Sequence, residues 1–179
     1  MTNELKQMLT EAGAFQIGET AADKIHFSRE IRVLCENNAC NRYGSSWSCP
    51  PATGTVEECA AKCGAFKNVL VFNKKYELED SFDFEGMLAG HADFNALVRG
   101  FARRLKEVTD DCLLLTAGGC DKCGGDCAYP DAPCRFPEEL LHPVEGFGIY
   151  VNELCASAGI NYINGANTVT YIGALLYNE

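Results

Sequence analysis

The chain has 179 residues, 47% of them hydrophobic, which is enough to build the core of one domain without help from disulfides. The net charge of −10 and the lack of a basic cluster exclude a nucleic-acid-binding surface, because such a surface must attract phosphates. No apolar run approaches the roughly 20 residues that a membrane-spanning helix needs. Because the N-terminus lacks the features of a secretion signal, we expect a reducing cytoplasm, where clustered thiols bind metals more often than they form disulfides.

Hydrophobic spacing predicts helices and strands that alternate along the chain. Residues 3–12 are predicted to form an amphipathic helix ended by Gly13, and residues 25–33 a half-buried strand that runs into Cys35. The later elements are a helix from 55 to 66, a buried strand over 69–72, a long helix over 84–108, a buried strand over 113–115, a helix over 144–158 and a strand over 168–177. This alternation predicts a single α/β domain over residues 1–179, with a largely parallel four-stranded sheet flanked by helices.

Four cysteines follow the predicted strand 113–115 within one short loop. They are Cys120, Cys123, Cys127 and Cys134. The spacings of two, three and six residues between them allow all four thiols to converge on one metal centre. Zinc and a [4Fe–4S] cluster both accept four thiolates, so zinc is the alternative. The cluster is favoured because three of the thiols come from a single glycine-rich loop, whereas structural zinc sites usually use two separate short knuckles.

A second group of cysteines follows the predicted strand 25–33. Its five candidate ligands are Cys35, Cys40, Cys49, Cys59 and Cys63. Thr55 and Glu58 form the pattern of a capping box at the start of the helix that carries the last two of these thiols. We predict that Cys59 completes a site with the first three, because it lies in the first helical turn, where the positive end of the helix stabilises a negatively charged cluster. The alternatives are Cys63 and a site without a fourth cysteine.

Both loops are predicted to leave the carboxyl end of a strand. In a parallel sheet they would emerge at the same edge, where such folds bind ligands, so we expect the two sites to be neighbours. Cys112 and Cys155 are predicted to pack as small apolar side chains. His91 lies on the apolar stripe of the long helix and is interpreted as a core histidine. His142, between the second loop and the following helix, is the only histidine whose position is compatible with a metal site, and a ligand role for it is the less favoured interpretation.

The order of these motifs resembles a known family. The segments that carry the resemblance are Cys35 and Cys40 followed by YGSSWSCPP, the Glu58-Cys59 pair, GGC-x2-C-x3-C-x-YP-x2-PCRFP and the closing EGFGIYV. That family consists of small cysteine-rich proteins described only as predicted metal-binding proteins, chiefly from anaerobic bacteria and archaea. The resemblance covers nearly the whole chain and implies a metal centre, an anaerobic cytoplasm and a ligand role for Cys59, the cysteine after glutamate. It implies no reaction.

These patterns lead to three hypotheses about function. The first is an iron–sulfur protein with two neighbouring [4Fe–4S] clusters that works in electron transfer, or as redox support of an anaerobic enzyme, with a redox partner protein that the acidic surface would attract. The second is an enzyme whose first-loop cluster lacks a fourth protein ligand and uses the open iron as a Lewis acid on a small substrate. The third is a zinc protein in which both loops only stabilise the fold. No nucleic-acid or membrane partner is expected.

Overall fold

The computed structural model describes residues 1–178, which form helices on both faces of one sheet. The helices are α1 (Thr2–Ala12), α2 (Arg29–Glu36), α3 (Val56–Cys63), α4 (Phe84–Leu105) and α5 (Val151–Ser157). The strands are β1 (Gln16–Ala21), β2 (Asn68–Glu77), β3 (Cys112–Thr116), β4 (His142–Pro143) and β5 (Thr168–Tyr177). Short 3₁₀ turns cover Ala22–Lys24, Pro137–Glu139 and Glu145–Phe147. No helix within these residues is long and apolar enough to cross a membrane.

The sheet has five strands in the order β1-β2-β5-β3-β4, and only the β3–β4 pair is parallel. The prediction of a largely parallel four-stranded sheet is therefore wrong. Because β2 and β3 both run antiparallel to β5, they share a direction, as two strands joined by the helix α4 should. However, β5 lies between them in the sheet. Leu175 of β5 is paired in register with Leu70 of β2 on one side and with Leu114 of β3 on the other. The alternation of helices and strands could not show this insertion of the last strand.

Alternate residues of the central strands divide the interior into two cores. Val69 and Val71 of β2 face a core that is covered by α3 and α5. Leu70 and Phe72 face the opposite core, which is covered by α1 and α4. On that side Phe72 lies 6.0 Å from the ring of Phe94, measured between centroids. The sheet is thus buried on both faces, which explains why its central strands are apolar runs without polar alternation.

The predicted strand over residues 25–33 is also wrong, because residues 29–36 form the helix α2. Ser28 caps this helix by accepting a hydrogen bond from the amide of Glu30 at 3.0 Å. The alternating pattern failed here because Arg32 is the buried residue, at 6% exposed, while Leu34 is 63% exposed. The first cysteine loop therefore follows a helix rather than a strand.

Several local predictions are confirmed. The helix over 3–12 is α1, the strand over 168–177 is β5, and the long helix begins at Phe84 and ends at Leu105. Both hydrogen bonds of the capping box of Thr55 and Glu58 are formed at the start of α3. The predicted helix over 144–158 is divided into a 3₁₀ turn and α5, because Gly148 between them adopts a left-handed φ of 77°.

Candidate metal centre

The four cysteines of the second loop line one cavity of about 270 Å³. They are the half-buried Cys120, Cys123, Cys127 and Cys134. The loop leaves the end of β3 and curves back at Gly124 and Gly125, whose φ angles of 60° and 91° lie in the left-handed region. The side chains of Phe136 and Leu140 add apolar surface to the cavity wall. That these four thiols bind one metal centre stays a prediction, and the structure shows that they line one cavity.

An arginine from α4 stands beside this cavity. The guanidinium of Arg99 donates hydrogen bonds to Cys120 Sγ at 3.4 Å, to Asp121 Oδ1 at 2.7 Å and to the Glu139 carbonyl at 2.8 Å. Asp121 also accepts a hydrogen bond from Asn95 Nδ2 at 3.0 Å, which holds the carboxylate in place. A fixed positive charge at this position would stabilise a negatively charged metal centre bound by Cys120.

The two cysteine loops are joined by direct hydrogen bonds. Ser48, which is fully buried, accepts from the amide of Cys120 at 2.9 Å and donates to the carbonyl of Leu141 at 2.6 Å. Trp47 Nε1 donates to the carbonyl of Ala132 at 2.9 Å. These contacts fix one loop against the other.

Three cysteines of the first loop line a second cavity, of about 380 Å³. They are Cys35 at the end of α2, the exposed Cys40 and the buried Cys49. Burial raises the pKa of Cys35 and of Cys49, and the charge of Cys40 adds to both shifts. The three thiols are therefore close enough to interact electrostatically. A bound metal ion would reverse this effect, because it stabilises the thiolate form.

Only a thin wall separates the two cavities. A Cβ atom built on Gly119 would lie 2.9 Å from Cys49 Sγ, and the next residue in the chain is Cys120 of the second cavity. Arg42 lines both cavities. The structure therefore places the two groups of thiols side by side, although the first loop reaches this position from a helix.

Cys59 and Cys63 do not line the first cavity. Both are fully buried in the core beneath α3. Cys59 Sγ contacts the Thr53 carbonyl at 3.5 Å and receives a hydrogen bond from Arg32 Nη2 at 3.8 Å. Burial raises the pKa of Cys63 to about 12, as expected for a thiol inside an apolar core. A fourth-ligand role for Cys59 stays a prediction that this geometry does not support.

The cysteines left out of the sites lie apart from both cavities. Cys155 on α5 is buried in the same core as Cys59, and burial raises its pKa to about 11. Cys112 in β3 is half-buried, and its Sγ lies 3.9 Å from the Thr109 carbonyl. Both positions fit side chains that pack rather than bind metal.

Three polar residues of the first cavity were not identified as site residues from the sequence, namely Arg42, His91 and Glu145. His91 lines this cavity and hydrogen-bonds through Nε2 to the Ala117 carbonyl at 2.9 Å. Glu145, in the 3₁₀ turn, also lines the cavity. Burial of its carboxyl group raises its pKa, and a hydrogen bond from the amide of Gly118 opposes that shift. The sequence carried no signal for His91, because Leu88, one turn earlier, continues the apolar pattern although it is 71% exposed in the structure.

His142 has a structural role rather than the expected place near a metal. It does not line either cysteine cavity. Its Nδ1 hydrogen-bonds to the Ser48 carbonyl at 3.0 Å, and its ring packs against Phe147. Burial lowers its pKa, which keeps the imidazole neutral. His142 therefore supports the Ser48 connection between the loops.

Comparison with known proteins identifies one family. The family model described as "Predicted metal-binding protein (DUF2284)" matches residues 19–177, which include both cysteine loops. No curated protein and no solved structure matches the chain. Within residues 1–178, no three His, Cys, Asp or Glu side chains are already arranged to hold a metal ion.

Proposed function

Because the chain belongs to the family of predicted metal-binding proteins (DUF2284), we propose that its two cysteine loops hold neighbouring [4Fe–4S] clusters and serve electron transfer or the redox support of an anaerobic enzyme. The observation that carries this proposal is the cavity that Cys120, Cys123, Cys127 and Cys134 line together. When bound, such a cluster supplies a centre that accepts and releases single electrons.

The size and chemistry of this cavity favour a cluster over a single ion. Four thiolates that bind one zinc ion lie about 2.3 Å from the metal and leave no space between them. The cavity of about 270 Å³, which these thiols line together with residues such as Phe136 and Leu140, is larger than one ion requires. Arg99 adds a positive charge beside Cys120, which suits the net negative charge of a cluster with four thiolate ligands.

The thin wall at Gly119 supports electron transfer between the two centres. Cys49 and Cys120 lie on opposite sides of this wall, so two clusters would be adjacent. A zinc ion that only stabilises the fold is the weaker proposal, because Ser48 and Trp47 already connect the loops. The second candidate function is that of an enzyme with an open metal position in the first cavity. It is favoured by a specific observation, since three cysteines rather than four line that cavity.

Metal analysis of anaerobically purified protein tests this proposal. We expect a brown protein with about eight iron and eight sulfide per chain, because each of two cuboidal clusters contributes four of both. The matched control is Cys155→Ser, which changes a cysteine outside both cavities and should leave the iron content unchanged. A colourless protein that contains zinc without iron or sulfide contradicts the proposal.

A further inference from the structure

The first cavity contains polar groups that electron transfer does not need. Besides three thiols, its wall includes four polar or charged side chains, namely Arg42, Tyr43, His91 and Glu145. At about 380 Å³ it is larger than the four-thiol cavity. A cavity with ionisable groups opposite a three-thiol metal site has the character of a binding site for a small molecule.

Arg42 is the cation of this wall, and its charge is available to a ligand. Within residues 1–178 its guanidinium makes no hydrogen bond and no ion pair, although the chain has 25 acidic residues against 15 Lys and Arg. By contrast, Arg99 pairs with Asp121 and Arg104 pairs with Glu11. Burial raises the pKa of Cys49, and the charge of Arg42 partly opposes that shift, which places Arg42 beside the thiols. A half-buried guanidinium of this kind pairs best with a carboxylate or another planar anion.

The remaining polar groups can reach the other oxygens of such a ligand. Because a carbonyl oxygen only accepts hydrogen bonds, His91 Nε2 carries the proton that it donates to Ala117, which leaves Nδ1 as the ring atom that can contact the ligand. Glu145 lines the same cavity and supplies a carboxyl group that can hydrogen-bond to a hydroxyl group of the ligand. Arg42 is thus the residue that selects the charge of the ligand.

We propose that the first cavity binds a small carboxylate, whose carboxylate group pairs with Arg42 next to the metal centre of Cys35, Cys40 and Cys49. This inference rests on the proposed function, because it takes the three thiols to hold a cluster with one position free of cysteine. It defines the substrate class of the second candidate function. Arg42 recognises the charged end of the ligand, and a hydroxyl group of the ligand can hydrogen-bond to His91 Nδ1 or to the carboxyl group of Glu145.

Electron paramagnetic resonance of the reduced holoprotein tests the inference. The probes are lactate and propane-1,2-diol, which have the same carbon skeleton but differ in the carboxylate. We expect lactate to change the spectrum of one of the two clusters in a saturable way, while the diol does not. Arg42→Gln should weaken the apparent lactate affinity by about tenfold or more, the value of one charge-assisted hydrogen-bonded pair. The matched control is Arg29→Gln, an exposed cation outside the cavity whose loss changes the net charge equally.

The outcomes separate this inference from the proposed function. A preparation with about eight iron per chain and no response to lactate overturns the carboxylate site and leaves the clusters in place. An equal response to lactate and to the diol, or equal lactate affinities of Arg42→Gln and Arg29→Gln, also overturns it. Equal lactate affinities of the two variants would mean that Arg42 only neutralises the charge of the clusters. A preparation without iron overturns both proposals together.

Discussion

The two cysteine loops differ in how their sites are assembled. The second loop supplies all four thiols of its site from residues 120–134, although residues 41–48 of the first loop form part of the cavity wall. The first cavity takes thiols from the end of α2 and the following loop, and its other walls from α4, from residues 118–119 and from residues 143–146. The thiols of the second loop are brought together by their spacing along the sequence. The first cavity exists only after distant segments have packed together.

Removal of one ligand from each loop is the strongest test of this comparison. We expect Cys127→Ser to lose about four iron per chain from the second centre, since a [4Fe–4S] cluster that loses one of four thiolate ligands is poorly held. Cys40→Ser should in turn release the iron of the first centre. Iron analysis combined with electron paramagnetic resonance of each variant shows which spectrum disappears. If either substitution removes both clusters, the two loops form one cooperative site and the comparison fails.

Cys59→Ala tests whether the first site ends at three thiols. Cys59 is fully buried in the core and does not line the cavity, so we expect the variant to keep its iron. Loss of the buried sulfur should lower the free energy of unfolding by about 1–2 kcal/mol, through the small cavity it leaves. Denaturant unfolding under anaerobic conditions measures the second effect.

The matched control is Cys63→Ala, because Cys63 is equally buried four residues later on the same helix. We expect both variants to behave alike. Loss of about four iron from Cys59→Ala alone would instead support the sequence-based assignment of Cys59 as the fourth ligand.

Gly119→Ala tests the wall that the two sites share. The new Cβ would lie 2.9 Å from Cys49 Sγ, so the sulfur or the loop has to move. We expect the spectrum of the first centre to change and the free energy of unfolding to fall by about 1–3 kcal/mol, as in other overpacked positions. Gly100→Ala in α4 is the control, because no atom lies within 4 Å of its new Cβ, and it should stabilise the helix by up to about 1 kcal/mol. Equal behaviour of the two variants would mean that the wall is not tightly packed.

The sequence was informative wherever the determining contacts are local. The capping box of Thr55 depends on residues three positions apart, and the site of the second loop depends on four cysteines within residues 120–134. The position of β5 depends on pairing with strands far away in sequence, which no local pattern contains. In α2 the helix buries Arg32 and exposes Leu34, so the apolar pattern indicated a strand that is not there. His91 and Glu145 were missed for the same reason, because only the folded chain brings them to the thiols.

Arg99→Gln tests whether the second centre is tuned by its own surroundings. Arg99 donates to Cys120 Sγ, whereas the residue that lines both cavities is Arg42. Reduction adds negative charge to a cluster, so loss of a nearby cation disfavours the reduced form and should lower its potential. We expect a decrease on the order of 50 mV in the second centre, equivalent to about 1 kcal/mol for one electron. Redox titration followed by electron paramagnetic resonance measures it.

The first centre gives the internal reference for this measurement, because the recorded contacts of Arg99 are with residues of the second loop and the turn after it. Its potential should change much less than that of the second centre. Arg104→Gln, further along α4 and paired with Glu11 at the surface, should change neither potential. An equal decrease in both centres would mean that the wall at Gly119 does not isolate them electrostatically. The two loops would then act as one redox unit despite their different assembly.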